Sequence, residues 1–260
     1  MRGEGVRIAV IDTGIAADHP DLEVAGGVNT IADQSGWQDD NGHGTHVAGV
    51  INAQDNGRGI VGIAPEADMF AVKALNRDGD GWESEIIKGI EWAMEQDVDI
   101  INLSLTSCSA SIPMQNMLQQ AEEEGVSVVA ASGNRKLCNG EYLDDIMYPG
   151  RYDSVIGVGA VTREKEQARF SYGGSSLDIT APGEGVKSTY IDAETGRTGY
   201  QTLNGTSTAC SACERDPRFD DRSVSVLRHG APEGKHLQRC GGPRGEGGGS
   251  FLRSRTRPGA

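Results

Sequence analysis

Three short motifs contain an aspartate, a histidine and a serine of the kinds that nucleophilic catalysis uses. The motifs are the segments 10–14 (VIDTG), 41–49 (NGHGTHVAG) and 204–209 (NGTSTA). A serine hydroxyl is a poor nucleophile at neutral pH, so it needs a neutral imidazole to take its proton and a buried carboxylate to orient that imidazole. Asp12, His43 and Ser207 are the candidates for these roles, and together they predict a serine hydrolase.

Each motif has a competing interpretation. Asp-Thr-Gly also occurs in aspartic proteases and in ordinary turns, but the sequence has no second Asp-Thr-Gly or Asp-Ser-Gly. His43 and His46 are three residues apart, whereas a helical zinc motif has histidines four apart with a glutamate between them. We take His43 as the base because it stands at the start of a predicted helix, and His46 as a structural histidine.

The elements that must position these residues alternate between strand and helix. Strands are predicted over 6–11, 69–75, 100–105, 126–131 and 155–160, and helices over 43–54, 84–96 and 113–125. Such alternation predicts a parallel sheet covered by helices on both faces. Asp12 then follows a buried strand, at the sheet edge that carries functional residues in folds of this class.

Five further motifs fall in a familiar order along the chain. They are the segments 63–65 (IAP), 71–73 (AVK), 101–105 (INLSL), 131–134 (ASGN) and 181–183 (APG). With the order Asp, His, Ser, they make residues from about Val6 to Ala209 resemble the subtilisin-like serine proteases, the subtilases. The resemblance implies a three-layer α/β fold with a mostly parallel central sheet. It also implies a serine endopeptidase that acts through an acyl-enzyme on Ser207, with Asn134 as the side-chain donor of the oxyanion hole.

The resemblance also implies where a polypeptide substrate binds. An extended peptide would pair with the strand edge Ser104, Leu105 and Thr106 on one side and with the segment that contains Gly79 and Gly81 on the other. Its side-chain pocket would be walled by segment 104–107 and by Ala131, Ser132 and Gly133, with Met147 near the floor. Thr106 replaces the glycine that is usual in the family, which argues against easy access for a large aromatic side chain. Glu83 and Glu85 lie near the predicted rim of the pocket. We favour the interpretation that they are solvated surface charges; the alternative is that they give the enzyme a preference for basic substrates.

A calcium site is a second implication of the resemblance. Asp21 and segment 54–60 align with the calcium carboxylate and calcium loop of the family, and oxygen ligands suit Ca²⁺. The ligands would be Asp21, Gln54, Asn56, Arg58 and Ile60. The alternative is a plain Asn-Gly turn, and the family's first ligand comes from an amino-terminal segment that this chain lacks. Segment 76–81 looks like the start of an EF-hand loop, but Ile87 stands where that loop requires a glutamate.

Two of the five cysteines lie on segments that would wall the same pocket. Cys108 and Cys138 are expected either to form a disulfide or to be two buried thiols.

The composition of the chain limits the classes of function that it can have. The chain has 260 residues and a net charge of −14, which argues against binding to nucleic acid, and it has no apolar run that could span a membrane. No signal peptide precedes the first strand, so we expect a cytoplasmic protein as written, or a secreted one if the amino terminus is truncated. The oligomeric state does not follow from the sequence.

The carboxyl-terminal part departs from the family pattern. Residues 209–260 carry a net charge of +4, residues 1–208 carry −18, and the later segment is rich in Gly and Arg. We therefore expect a catalytic domain over 1–208, incomplete at both ends, and an aberrant, disordered tail over 209–260. A reading-frame shift near Cys210 would explain the departure. It would leave a weakly active endopeptidase, or a relic of one that is non-catalytic or misfolded.

Overall fold

The structure is a computed structural model that describes residues 2–32, 35–135, 138 and 141–213. The predicted disordered tail lies outside the described residues except at 209–213. Those five residues belong to a short helix and its end, and Ala209, Cys210 and Cys213 are buried in the core.

The centre of the molecule is a seven-stranded sheet in the order β2-β3-β1-β4-β5-β6-β7. The strands are β1 (Arg7–Asp12), β2 (Gly26–Asn29), β3 (Asp68–Lys73), β4 (Ile100–Leu103), β5 (Ser127–Ala131), β6 (Ile156–Val161) and β7 (Ile179–Pro182). All six neighbouring pairs are parallel. Because the strands run the same way, their carboxyl ends meet at one edge, and Asp12 lies at that edge.

Helices cover both faces of this sheet. They are α1 (His43–Asn52), α2 (Glu83–Glu95), α3 (Ile112–Glu123) and α4 (Thr206–Ser211). One apolar cluster contains side chains of α1 and α4, and a second contains side chains of α2 and α3. Alternate residues of β1 enter opposite clusters, Ile8 and Val10 the first and Ala9 and Ile11 the second, as the pleat of a doubly covered strand requires. The predicted three-layer α/β architecture is confirmed.

The predicted elements are present with limits that shift by one to two residues. The shift that matters is at β4, which ends at Leu103, so segment 104–106 runs on past the sheet. The sequence reasoning missed β2, β7 and a separate antiparallel hairpin made of β8 (Val186–Ile191) and β9 (Thr198–Leu203). Among the described residues, no helix is long and apolar enough to cross a membrane.

Candidate active site

The candidate acid and base lie where β1 ends and α1 begins. His43 Nδ1 is 2.8 Å from Asp12 Oδ1 and 2.9 Å from Asp12 Oδ2. Asp12 is fully buried, and its Oδ1 also accepts a 2.7 Å hydrogen bond from the backbone N–H of Thr13. The His43 side chain is 34% exposed. An imidazole that donates from Nδ1 to a carboxylate leaves Nε2 as a free acceptor, which is the tautomer that a general base needs.

Gly44 allows the two elements to approach this closely. A Cβ atom at Gly44 would lie 2.1 Å from the carbonyl oxygen of Gly14 and 3.2 Å from Asp12 Oδ1. Any side chain at this position would push α1 away from the end of β1. The Gly after His43 is therefore required by packing.

The charges around His43 favour its protonated form. Burial lowers the pKa of His43, but the charge of Asp12, its hydrogen bond and the charge of Asp39 outweigh burial, so the pKa lies above 6.5. His46 differs, because burial lowers its pKa to about 4. His46 is 1% exposed and its Nε2 lies 3.2 Å from the carbonyl oxygen of Val186. These contacts fit the structural role predicted for His46.

Ser207 stands in the first turn of α4, which begins directly after the hairpin. Its carbonyl oxygen accepts hydrogen bonds from the hydroxyls of Ser104, at 3.1 Å, and Ser211, at 2.8 Å. Helices α1 and α4 pack against each other, which brings the segments of His43 and Ser207 together. Among the described residues, no hydrogen bond joins the Ser207 hydroxyl to His43, and such bonds are often long before substrate binds.

The side chain of Asn134 is oriented by Thr206, the residue before Ser207. Asn134 Oδ1 accepts hydrogen bonds from the backbone N–H of Thr206 at 3.0 Å and from its hydroxyl at 3.2 Å. These bonds fix the orientation of the amide, and no hydrogen bond of Nδ2 is present among the described residues, so Nδ2 can donate. A Cβ atom built on Gly205 would lie 2.9 Å from Ser207 Oγ and 3.7 Å from Asn134 Nδ2. The hydroxyl and the amide therefore flank one small space.

A cleft of about 560 Å³ runs past His43. Its lining includes five of the predicted substrate-binding residues, Gly79, Gly81, Ser104, Leu105 and Thr106. The two segments that the resemblance assigned to a substrate peptide therefore face one cleft.

The match of the chain to known proteins decides its family. The model of the subtilase family matches residues 3–212. Subtilisin DY of Bacillus licheniformis is 45% identical over 208 residues, which cover 80% of this chain and 73% of that protein. Subtilisin BL of Lederbergia lenta is 46% identical over 209 residues, with the same coverage. The minor extracellular protease Epr of Bacillus subtilis is 43% identical over 80% of this chain and 31% of its own length.

The chain belongs to the subtilase family. It is accordingly a serine-type endopeptidase, and its substrates are polypeptides. The family match ends at residue 212, close to Ala209, where the sequence predicts that the resemblance stops.

Three predicted pocket residues of this subtilase, Ala131, Ser132 and Gly133, lie outside the lining of the cleft. Ala131 and Ser132 are buried, and the Ser132 hydroxyl donates to the carbonyl oxygen of Tyr172 at 3.1 Å. Met147 is fully buried against Gly133, where a Cβ atom would meet Met147 Sδ at 2.5 Å. Their assignment to a substrate pocket stays a prediction.

The two glutamates predicted at the rim of the pocket, Glu83 and Glu85, have different surroundings. Glu83 lines the cleft together with Asp78 and Asp80. Glu85 is 9% exposed, and its Oε2 accepts a 3.0 Å hydrogen bond from the backbone N–H of Trp82 at the start of α2. Glu85 is therefore a helix-capping residue, and its carboxylate is already engaged.

Of the two alternatives for Cys108 and Cys138, the structure contains the disulfide. The bridge connects the segment that continues from the cleft wall to Cys138, four positions after Asn134. Cys210 and Cys213 are both buried and are not joined by a disulfide.

Two of the other predicted calcium residues, Gln54 and Ile60, donate backbone hydrogen bonds to Asp21. Asp21 Oδ2 accepts hydrogen bonds from the Tyr200 hydroxyl at 2.8 Å and from the backbone N–H of Ile60 at 3.1 Å. Asp21 Oδ1 is buried and has no hydrogen-bond partner among the residues that the structure describes. Burial raises the pKa of Asp21, but hydrogen bonds from Tyr200, Ile60 and Asn56 more than offset burial and lower that pKa below 3.8. Among the described residues, no cluster of three or more His, Cys, Asp or Glu side chains could hold a metal ion.

The sequence reasoning passed over two charged side chains beside the acid–base pair. Asp39 and Lys73 are each 2% exposed. Lys73 Nζ donates to the carbonyl oxygen of Thr13 at 2.7 Å and to Asp40 Oδ1 at 2.6 Å. The signals in the sequence are weak: the pair Asp39-Asp40 stands just before Asn41-Gly42, which resembles an exposed turn, and Lys73 is the last residue of the motif 71–73.

Proposed function

We propose that this subtilase hydrolyses peptide bonds through an acyl-enzyme formed on Ser207, with His43 as general base and Asp12 as the carboxylate that orients it. The observation that carries the proposal is the contact between His43 Nδ1 and both oxygens of a fully buried Asp12. This contact fixes the Nδ1–H tautomer, so that Nε2 can accept the proton of a serine hydroxyl.

In the first half of the reaction, Ser207 Oγ attacks the substrate carbonyl carbon while its proton moves to His43 Nε2. The new Oγ–C bond gives a tetrahedral intermediate with a negative oxygen, to which Asn134 Nδ2 donates a hydrogen bond. The C–N bond then breaks, and the leaving amine takes the proton from Nε2. In the second half, water attacks the acyl-enzyme with His43 again as the base, which releases the carboxylic acid and restores Ser207.

The cleft supports binding of an extended peptide. Segments 79–81 and 104–106 line its two sides, and segment 104–106 has left the sheet. Among the described residues, no backbone hydrogen bond engages segment 104–106, so its backbone groups can pair with a substrate strand, which gives broad tolerance of sequence. The N–H groups of Gly79 and Asp80 are already bonded to Asn76.

A fluorophosphonate probe tests the nucleophile, because it labels only an activated serine. We expect labelling of the wild-type protein and none of Ser207→Ala. Ser211→Ala is the matched control, since Ser211 lies on the same helix and contacts the carbonyl oxygen of Ser207; it should remain labelled. A folded wild-type protein that is not labelled would contradict the proposal and favour the non-catalytic relic.

We also propose a structural Ca²⁺ ion bound by Asp21 and by oxygen atoms of Gln54, Asn56, Arg58 and Ile60. The buried Asp21 Oδ1 supports it, since this atom has no hydrogen-bond partner in the described part of the chain and a buried acceptor is costly unless a cation or a donor reaches it.

Thermal unfolding with and without Ca²⁺ tests this site. We expect Ca²⁺ to raise the Tm of the wild-type protein and to leave that of Asp21→Asn unchanged. Asp55→Asn is the control, because Asp55 lies in the same loop but pairs with Arg2 at the surface. If millimolar Ca²⁺ leaves the Tm of the wild-type protein unchanged, the site is excluded.

A further inference from the structure

Asp39 is a buried carboxylate with five hydrogen-bond donors around it. Its Oδ1 accepts from the Thr13 hydroxyl at 2.9 Å, the backbone N–H of Asn41 at 2.9 Å and that of Gly42 at 3.0 Å. Its Oδ2 accepts from the backbone N–H of Thr45 at 2.9 Å and from the Thr45 hydroxyl at 2.5 Å. With 2% of its surface exposed, this side chain is an interior group with every acceptor site engaged.

These donors come from both sides of the acid–base pair. Thr13 follows Asp12 in sequence, whereas Gly42 and Thr45 flank His43. The Thr13 hydroxyl also accepts a 2.9 Å hydrogen bond from the backbone N–H of Gly44. The Asp39 carboxylate thus connects the end of β1 to the first turn of α1. It contacts Thr45 of the helix directly, and it also contacts Thr13, which in turn contacts Gly44.

The start of α1 lacks a cap of its own. Its N-cap residue is Gly42, which has no side chain to accept from the first N–H groups of the helix. The Asp39 carboxylate accepts from the backbone N–H of Thr45, and the Thr13 hydroxyl accepts from that of Gly44. These two side chains therefore supply acceptors that Gly42 lacks. A negative charge at a helix amino terminus is also favourable.

The charge of Asp39 matters because His43 becomes a cation during the proposed reaction. A cation in the first turn of a helix is disfavoured by the helix dipole. Asp39 and Asp12 both offset that penalty, and both raise the pKa of His43.

Other charged or titratable groups lie on the elements around His43. They are Asp40 in the preceding loop, Lys73 on β3, His46 on α1, Tyr190 on β8, and Asp78, Asp80 and Glu83 in the cleft. Lys73 is paired with Asp40, and the lowered pKa of His46 keeps that residue neutral at neutral pH.

We infer that Asp39 is a positioning residue of the catalytic site, which holds Asp12 and His43 in one frame and stabilises the imidazolium form of His43 by its charge. The inference rests on the proposed function for its catalytic meaning. The effect on His43 itself does not require activity.

The variant Asp39→Asn keeps the shape of the side chain and removes the charge, and it replaces one acceptor oxygen by an NH2 group, which loses the hydrogen bonds that this oxygen accepted. By NMR titration we expect the pKa of His43 to fall by about half a unit or more, since an opposite charge nearby is being removed. The acid limb of kcat/KM should move to lower pH by the same amount, and kcat should fall with little change in KM. Asp18→Asn is the matched control, because it also removes one negative charge, but from an exposed aspartate that contacts Gln38; it should leave the His43 pKa unchanged.

An unchanged His43 pKa in folded Asp39→Asn, with kcat reduced equally at every pH, would overturn the inference, because a merely structural residue would behave in that way. The NMR readout and the wild-type labelling test are independent. Loss of labelling in the wild type would refute the proposed function alone.

A second pair of variants covers the case in which Asp39→Asn does not fold. Thr13→Val removes the hydroxyl that links Asp39 to the N–H of Gly44, and Thr13→Ser keeps it. We expect Thr13→Val to lower kcat about tenfold with KM and the His43 pKa unchanged, which corresponds to one lost hydrogen bond of positioning. Wild-type kcat in Thr13→Val would overturn the inference.

Discussion

Asp12 and His43 are fixed by the central sheet and by a buried hydrogen-bond network, whereas Ser207 is carried by a six-residue helix at the end of the described chain. The first pair sits between β1, a strand with a neighbour on each side, and α1, which is buried along almost its whole length. The serine is oriented mainly by side chains of nearby segments. Thr206 contacts Asn134, and Ser104 and Ser211 contact the carbonyl oxygen of Ser207.

This difference separates the two halves of the site by the kind of support that they have. The acid–base half is supported by strand pairing and by the hydrogen bonds of Asp39 and Lys73. The nucleophile half is supported by the packing of α4 on β5 and β6 and by the contacts of Thr206 with Asn134. Substitutions on the two sides should therefore differ in size and in the quantity that they change.

The largest effect is expected from Asp12→Asn in the acid–base half. An asparagine can present its amide group to His43 and stabilise the wrong tautomer, so kcat should fall about 10⁴-fold. Peptide hydrolysis measured across the pH range checks this value. Asp18→Asn, which alters an exposed aspartate that contacts Gln38, should behave as wild type; a loss below tenfold in Asp12→Asn would remove Asp12 from the mechanism.

Asn134→Ala should have the next largest effect, in the nucleophile half. Loss of a side-chain oxyanion donor costs about 10²–10³ in kcat, a magnitude known from subtilisin itself, with KM little changed. Steady-state kinetics on a peptide substrate measure both parameters. Asn204→Ala is the control, since the Asn204 side chain accepts from Gly185 instead; equal losses in the two variants would argue against a specific role for Asn134.

Thr206→Val should lower kcat by less, about five- to tenfold. The hydroxyl holds Asn134 Oδ1 at 3.2 Å, and one hydrogen bond contributes about 1 kcal/mol. The backbone N–H of Thr206 still contacts the same oxygen, which keeps the loss small. Thr206→Ser should restore activity, and a serine variant as slow as the valine variant would show that packing, rather than the hydroxyl, matters.

Tyr200→Phe should have the smallest effect on catalysis and a measurable effect on stability. Its hydroxyl connects β9, the strand before Ser207, to Asp21 at 2.8 Å. We expect a Tm lower by about 2–4 °C for a loss near 1 kcal/mol, with kcat within about twofold of wild type. Tyr142→Phe, at an exposed position, is the control. A large fall in kcat would mean that the nucleophile half depends on the Asp21 loop.

The same contact gives a pH dependence. Burial, followed by the hydrogen bond and charge of Asp21, raises the pKa of Tyr200 from 10 to about 12. A pKa that is higher in the folded state stabilises the protein at pH values below 10, and this contribution disappears as the pH rises through 12. The Tm difference between wild type and Tyr200→Phe should therefore be constant up to pH 10 and shrink above it.

Much of the fold was predictable because buried parallel strands are short apolar runs. Val10-Ile11 and Val128-Val129 mark their strands without ambiguity. Strand β2 was missed because Gly26-Gly27 carries no apolar pattern, and the hairpin was missed because β9 is largely exposed and polar. The family assignment followed from motif order and is confirmed.

The candidate site likewise contains residues that could be predicted from the sequence and residues that could not. Asp12, His43, Ser207 and Asn134 could be named because their motifs are specific, but their roles as a catalytic set stay predictions. Asp39 could not be named, since its importance lies in five donors, from residues 13, 41, 42 and 45, that converge only after folding. The end of β4 at Leu103 depends equally on tertiary pairing.

The hydrogen atom that serves as the side chain of Gly44 has a consequence for how this protein can vary. A methyl group there would collide with the carbonyl oxygen of Gly14, so even alanine would separate Asp12 from His43. Glycine has no functional group, yet position 44 is as restricted to one amino acid as the positions of Asp12, His43 and Ser207. Libraries that randomise this segment should return glycine at position 44 among all active clones.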